Sequence, residues 1–261
     1  MVRNILNRLF GKTKDTIVYD DGTCEFVFKD EVCTDAEGDF DPGANEACGL
    51  KIDGMGRASL ALSQHFFPLL EAVKLEDIPD KTLPTKGIPP DGIKTHFISC
   101  NIEKGAMLCK HLTMLPVEFI WRSKAWGSFC RVFGVEQGFE FSAPCIEATL
   151  KDDALGDPRI GKPAAVLLGR ITEEQFYACE NYTGVIGEIL RAELAKFGYE
   201  LIDFKVEFGV DAKGTIHLAD EISGGIWRIL DKDGNTVDPV MAAITICPHV
   251  YSGCSENCCK S

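Results

Sequence analysis

The chain has 261 residues, 45% of them hydrophobic and 26% charged. That is an ordinary globular composition and allows one large domain or two modest ones. A formal net charge of −13 excludes a general nucleic-acid binder, which needs a basic stripe, but leaves room for a nucleotide enzyme with a few local cations.

Residues 1–10 carry Arg3 and Arg8 but no long apolar core, and read as a poor signal peptide. Gly11-Lys12-Thr13-Lys14 leads into an apolar stretch at 16–19. Asp20-Asp21-Gly22-Thr23 reads as a turn and 24–28 as a second strand, which makes a β-hairpin. Residues 30–49 are rich in Asp, Glu and Gly and lack periodicity, so a long loop is expected. Apolar residues at 59–73 predict a helix packed on a sheet, and Pro79, Pro84, Pro89 and Pro90 mark 74–92 as an exposed excursion. Strand-like runs follow at 94–100, 106–113 and 116–122. The clearest helix spans 172–197: Thr172 and Gln175 form a capping box, and Gly198 is a natural terminator. Gly184 and Gly187 in its middle indicate either a break or close packing.

The most informative segment follows. Ile202, Phe204, Val206 and Phe208 alternate with Asp203, Lys205 and Glu207, a strand signature that sets two carboxylates and an ammonium on one face. Asp211-Ala212-Lys213-Gly214 reads as a turn and 215–222 as a returning strand, which brings Glu207 close to Asp220. Two acidic groups near lysines suit a magnesium-bound triphosphate, because Mg²⁺ takes one or two carboxylates and fills its shell with water and phosphate oxygens. The plainer alternative is a solvated strand face with ordinary charge pairs.

Twelve cysteines are present. Most sit singly in apolar stretches, as Cys109 and Cys130 do, and reduced thiols in a cytosol are expected. Cys247, His249, Cys254, Cys258 and Cys259 form either a metal-ligating cluster or a frayed, reduced tail, and their spacing fits no standard zinc pattern. No run of about 18 apolar residues occurs, so no transmembrane span is expected. Hairpins mixed with helices indicate an α+β fold, with lobes at 1–117 and 118–245 and a Cys-rich tail at 246–261.

The stretches KDDALGDP (151–158), DFKVEFG (203–209) with a following LADEIS (218–223), and GKTK (11–14) together resemble the SAICAR synthetase family. Pro116-Val117-Glu118 leading to Arg122, then Gly127-Ser128 with Arg131 and Gly134, and KTHFI at 94–98 fit the same pattern, in consistent order from about residue 10 to 240. The resemblance implies a two-lobed fold related to the ATP-grasp and protein-kinase group, with ATP in the interlobe cleft. It implies a cytoplasmic ligase of purine synthesis. Such an enzyme joins L-aspartate to carboxyaminoimidazole ribonucleotide through an acyl phosphate, with ATP and Mg²⁺, and is often a homo-oligomer.

By this resemblance Lys12 and Lys14 meet the ATP phosphates, and Glu207 and Asp220 hold magnesium. Lys205 sits beside the phosphates or the substrate carboxylate, while Arg122, Ser128 and Arg228 grip the ribonucleotide's 5′-phosphate. Lys151, Asp152 and Asp153 line the site, and Asp153 is the candidate to take the amine's proton. The chain departs from the family in four places, one of them Ser123 after Arg122 where most members have Asn. A Pro-Asp pair is replaced by Gly224-Gly225, a Gly-Lys-Gly stretch by Gly54-Met55-Gly56, and the acidic loop 35–45 is longer than usual. Two alternatives therefore stand beside this reading: a ligase for another amine or carboxylated nucleotide, and a nucleotide-binding regulator without turnover.

Overall fold

The computed structural model describes residues 3–35, 38–42, 49–74, 76, 78 and 92–251. The expected excursion at 74–92 and the cysteines at 254, 258 and 259 fall largely or wholly outside them.

The first sheet contains β1 (Ile5–Phe10), β2 (Lys14–Tyr19), β3 (Thr23–Phe28), β4 (Phe97–Asn101) and β5 (Ala106–Lys110), in the order β1-β2-β3-β5-β4. Every pairing is antiparallel. Strand β1 has no counterpart in the sequence reading of residues 1–10. It is an edge strand exposed at all six positions, so its side chains carry no buried-face alternation to read. Helix α1 (Met55–Ala72) covers one face of this sheet, with Phe67 stacked on Phe97 at 5.6 Å. The helix starts four residues earlier than its apolar pattern. Its N-cap, Gly54, offers no side chain. The Asp30 carboxylate instead accepts from the Gly56 amide at 2.9 Å, a cap supplied from 26 residues away that local rules cannot see.

The second sheet follows with β6 (Thr113–Lys124), α2 (Ser128–Phe133), β7 (Glu140–Leu150), α3 (Lys162–Leu167), α4 (Glu173–Ala195), β8 (Glu200–Val210), β9 (Ile216–Ala219), β10 (Trp227–Leu230), α5 (Pro239–Ile246) and α6 (Pro248–Tyr251). Its order is β10-β8-β6-β7, with β9 paired to β8. Helix α4 lies across one face. Its capping box is present as expected, and the helix runs unbroken through Gly184 and Gly187. Gly187 is the close-packing case: a Cβ there would stand 2.6–2.7 Å from the Trp121 ring. Phe119 meets Phe176 at 5.1 Å and Tyr182 meets Phe208 at 5.9 Å. Each such fully buried side chain contributes roughly 1.5–3 kcal/mol.

The two sheets are joined by main-chain hydrogen bonds. Thr95 forms a parallel bridge with Leu218; His96 N donates to Leu218 O and Leu218 N to Lys94 O, both at 2.9 Å. No helix among the described residues is long and apolar enough to cross a membrane. Cys247 is buried, with its thiol on the Ala61 carbonyl at 3.5 Å.

Candidate active site

Strands β6 and β8 turn opposite faces to two different layers. Phe119, Trp121, Phe204, Val206 and Phe208 are buried, and Phe119, Trp121 and Phe208 pack on α4. The other face carries Glu118 opposite Glu207, and Arg122 opposite Asp203. Side chains directly opposite across a ladder share a face. This polar face is not solvated: Glu118, Arg122 and Asp203 are each 2% exposed and Glu207 is 8% exposed. The plain solvated-face alternative therefore fails: Lys151 and Lys205 pair with Glu118 and Glu207, and Arg228 pairs with Asp203.

The hairpin expected at 203–222 is present. Asp211 closes its turn by accepting from Lys213 N and Thr215 N at 2.9 Å. The returning strand β9 is shorter than expected and ends at Ala219, since Asp220 adopts φ +61°. A non-glycine residue in that region is strained and leaves the ladder.

A cavity of about 580 Å³ opens between the sheets, within the range for small-molecule sites. It brings together seven of the expected residues: Lys12, Lys14, Lys151, Asp153, Lys205, Glu207 and Asp220. Lys14 from β2 sits 2.9 Å from Asp220 and 2.8 Å from Glu221. Lys151 pairs with Glu207 and lies 3.6 Å from Glu118, while Lys205 is 3.1 Å from Glu118. At the more exposed rim Lys12 meets Asp153 at 3.0 Å. Asp152 is a loop residue whose amide donates to Asp157 at 2.6 Å.

Burial and the nearby Asp220 and Glu118 raise the Glu207 carboxyl above the usual carboxylate range, against the opposing pull of Lys151. Burial works the same way on Asp220, but Lys14 and Lys151 outweigh it and hold that carboxyl low. Burial disfavours the charged forms of Lys14, Lys151 and Lys205 too, yet their carboxylate neighbours keep all three raised and protonated.

The remaining three expected residues form a second cluster. Arg122 donates to Glu147 at 2.6 Å, to Asp203, and to Ser128 Oγ at 3.3 Å. Arg228 donates to both oxygens of Asp203, at 2.9 and 2.7 Å, and to Asp41 of the acidic loop. Both guanidinium groups thus converge on the Asp203 carboxylate. Arg228 lines an adjoining cavity of about 330 Å³ that shares Phe40 with the first. Gly127 sits against Arg228, where an added Cβ would lie 2.9 Å from Nη2.

Sequence reasoning missed Glu118, Glu221, Asp203 and Asp41 as members of these clusters. Glu118 shares the face of Arg122 by strand alternation, and Glu221 directly follows Asp220, so both carried a local signal. Asp41 carried none, because its partner lies 187 residues away.

The Gly224 half of the Gly224-Gly225 departure has a packing cause. A Cβ at Gly224 would run into Pro239 of α5, 3.0 Å from its Cα. A side chain at Gly225 would enter the cleft 3.6 Å from the Glu221 carboxylate, so an acid there would face another acid.

Comparison with known proteins agrees with this architecture. A profile of the SAICAR synthetase family matches residues 9–241. The phosphoribosylaminoimidazole-succinocarboxamide synthase of Clostridium tetani is 40% identical over 235 residues, 88% of this chain and 94% of that one. The enzyme of the same name from Finegoldia magna is 38% identical over 70% of this chain and 71% of its own length. Among solved structures, a type-2 SAICAR synthetase in complex with ADP superposes with a TM-score of 0.76 at 30% identity, covering 94% of this chain and 98% of its own. The type-1 SAICAR synthetase of Pyrococcus horikoshii gives a TM-score of 0.72 at 29% identity, with 92% and 97% covered. Fold and family make the protein an ATP-dependent ligase of purine biosynthesis. The chain belongs to the SAICAR synthetase family.

Proposed function

We propose that the chain joins the amine of L-aspartate to the carboxylate of carboxyaminoimidazole ribonucleotide with cleavage of ATP. The observation that carries this reading is the cluster of Lys14, Lys151 and Lys205 paired with Glu118, Glu207, Asp220 and Glu221 in a cleft of this family. A carboxylate is a poor electrophile. Attack of its oxygen on the γ-phosphorus releases ADP and forms an acyl phosphate, which the aspartate amine opens with loss of inorganic phosphate. Phosphoryl transfer asks the protein for positioning and charge neutralisation more than for a nucleophile. Lysines and carboxylates line the cavity and, among the described residues, no histidine does, which agrees with that demand.

In this reading Lys12 and Lys14 meet the ATP phosphates, and Lys151 and Lys205 steady the reacting carboxylate. Asp153 at the open rim takes the amine's proton, and Arg228, with Arg122 and Ser128 behind it, holds the 5′-phosphate. The ADP bound by the type-2 relative supports a nucleotide in the cleft. Magnesium fits the donor set. Asp220 is near enough to help raise the Glu207 carboxyl, and both carboxylates line the same cavity. Two carboxylates with phosphate and water complete the shell that Mg²⁺ prefers. When bound, magnesium neutralises phosphate charge. The two sheets support a division into lobes ahead of β6 at Thr113, since a boundary at residue 117 would cut that strand, and a place in purine biosynthesis supports a cytoplasmic location.

The test is ADP release with ATP, magnesium, carboxyaminoimidazole ribonucleotide and each amino acid in turn. Release with L-aspartate alone is expected. Release with a different amine would replace the substrate, and nucleotide binding without ADP release would replace the ligase with a regulator.

A further inference from the structure

We propose that His96 is a positioning residue that fixes the Asp220 main chain and so aims its carboxylate into the cleft. The inference rests on the reading that Asp220 serves the magnesium nucleotide. His96 is 2% exposed and is absent from the cavity lining, so it touches no substrate. Its Nε2 lies 3.0 Å from the Asp220 carbonyl oxygen. A carbonyl only accepts, so Nε2 carries the proton and donates it.

Three further contacts leave the ring little freedom. Phe26 and Phe67 flank it at 5.5 and 5.3 Å, and Cys109 Sγ lies at 3.7 Å. The His96 amide donates to Leu218 O at 2.9 Å. One residue of the first lobe therefore grips β9 by its main chain and the next turn by its side chain. That turn is where restraint is needed. Asp220 is one of two described non-glycine residues with positive φ, at +61°, a conformation that persists only when its surroundings over-determine it. Lys14 holds the carboxylate of the same residue from the cleft side. Lys14 constrains the side chain and His96 the peptide, and a carboxylate aimed from a relaxed peptide would point elsewhere.

The experiment compares His96→Gln, which keeps an N–H donor near the Nε2 position, with His96→Met and His96→Asn, which do not. Mn²⁺ binding in the presence of ADP is read by electron paramagnetic resonance, alongside urea unfolding. Loss of an outer-shell partner typically weakens metal affinity 10–100-fold. His96→Met and His96→Asn are expected to weaken Mn²⁺–ADP binding by about tenfold, and His96→Gln to restore it to near the wild-type value. Binding by His96→Met or His96→Asn at wild-type strength overturns the inference. So does equal loss in the Gln and Asn variants at equal unfolding midpoints. Asp220→Asn in the same assay separates the two readings. If it binds normally, the role given to Asp220 fails; if it alone loses binding, only the role of His96 fails.

Discussion

Glu118 and Glu207 stand directly opposite each other across the β6–β8 ladder and share the ammonium of Lys151. Lys205 approaches Glu118 from the neighbouring position on β8. Like charges opposed on a ladder repel, so the two lysines are what make the pair tolerable. Glu118→Gln keeps the shape and removes one charge, leaving both ammonium groups on Glu207. Turnover is expected to fall by more than about tenfold, and unfolding free energy by on the order of 1–3 kcal/mol. Steady-state ADP release and urea titration measure the two, and unchanged turnover would remove Glu118 from the site.

The raised Glu207 carboxyl gives a pH signature. Burial and Asp220 push it up to about 7, above its unfolded value. Its contribution to the stability of the ligand-free fold is therefore complete below the ordinary carboxylate range and is lost as pH rises through about 7. A cation bound at the carboxylate reverses the preference and expels the proton. Magnesium–nucleotide binding should release protons near neutral pH and almost none about two units higher. Calorimetry in buffers of different ionisation enthalpy reads the release, which should disappear in Glu207→Gln.

Gly127 tests the arginine cluster. It has φ +53° and lies against the Arg228 guanidinium. Gly127→Ala adds backbone strain on the order of 1–3 kcal/mol and displaces the guanidinium tip. The KM for the ribonucleotide should rise by roughly tenfold or more, while the KM for ATP stays put. An equal rise in both would show that the two clusters do not serve separate substrates.

Gly187 tests packing alone. Alanine is the better helix former by about 1 kcal/mol, but its methyl group would enter the Trp121 indole, which is 1% exposed. Overpacking of a tight core costs about 1–3 kcal/mol, so Gly187→Ala should be less stable in urea by about 1 kcal/mol or more. Activity per folded molecule should be retained. A gain in stability would mean that the ring has room to move.

What could be read from the chain was what short range determines. The alternation at 202–208 and the box of Thr172 with Gln175 each lie within a few residues, and both elements formed as expected. The start of α1 was misread because Asp30 caps it from a different segment, and β1 because an exposed edge has no hidden face. The cluster around Lys14 was half legible. Its carboxylate partners Asp220 and Glu221 lie 206 and 207 residues away; the hairpin at 203–222 supplied Asp220, and Glu221 had only its adjacency to Asp220 as a signal. Asp203 was seen as part of a polar face. Its use as the meeting point of two guanidinium groups depends on β6 and β10 flanking β8.

The main-chain bonds through Lys94, His96 and Leu218 have a mechanical consequence. The two sheets are stitched there, and parting them would break main-chain hydrogen bonds rather than bend a linker. The exposed pair of Lys12 and Asp153 is a solvent-screened contact of the kind that contributes little, so it yields before that seam does.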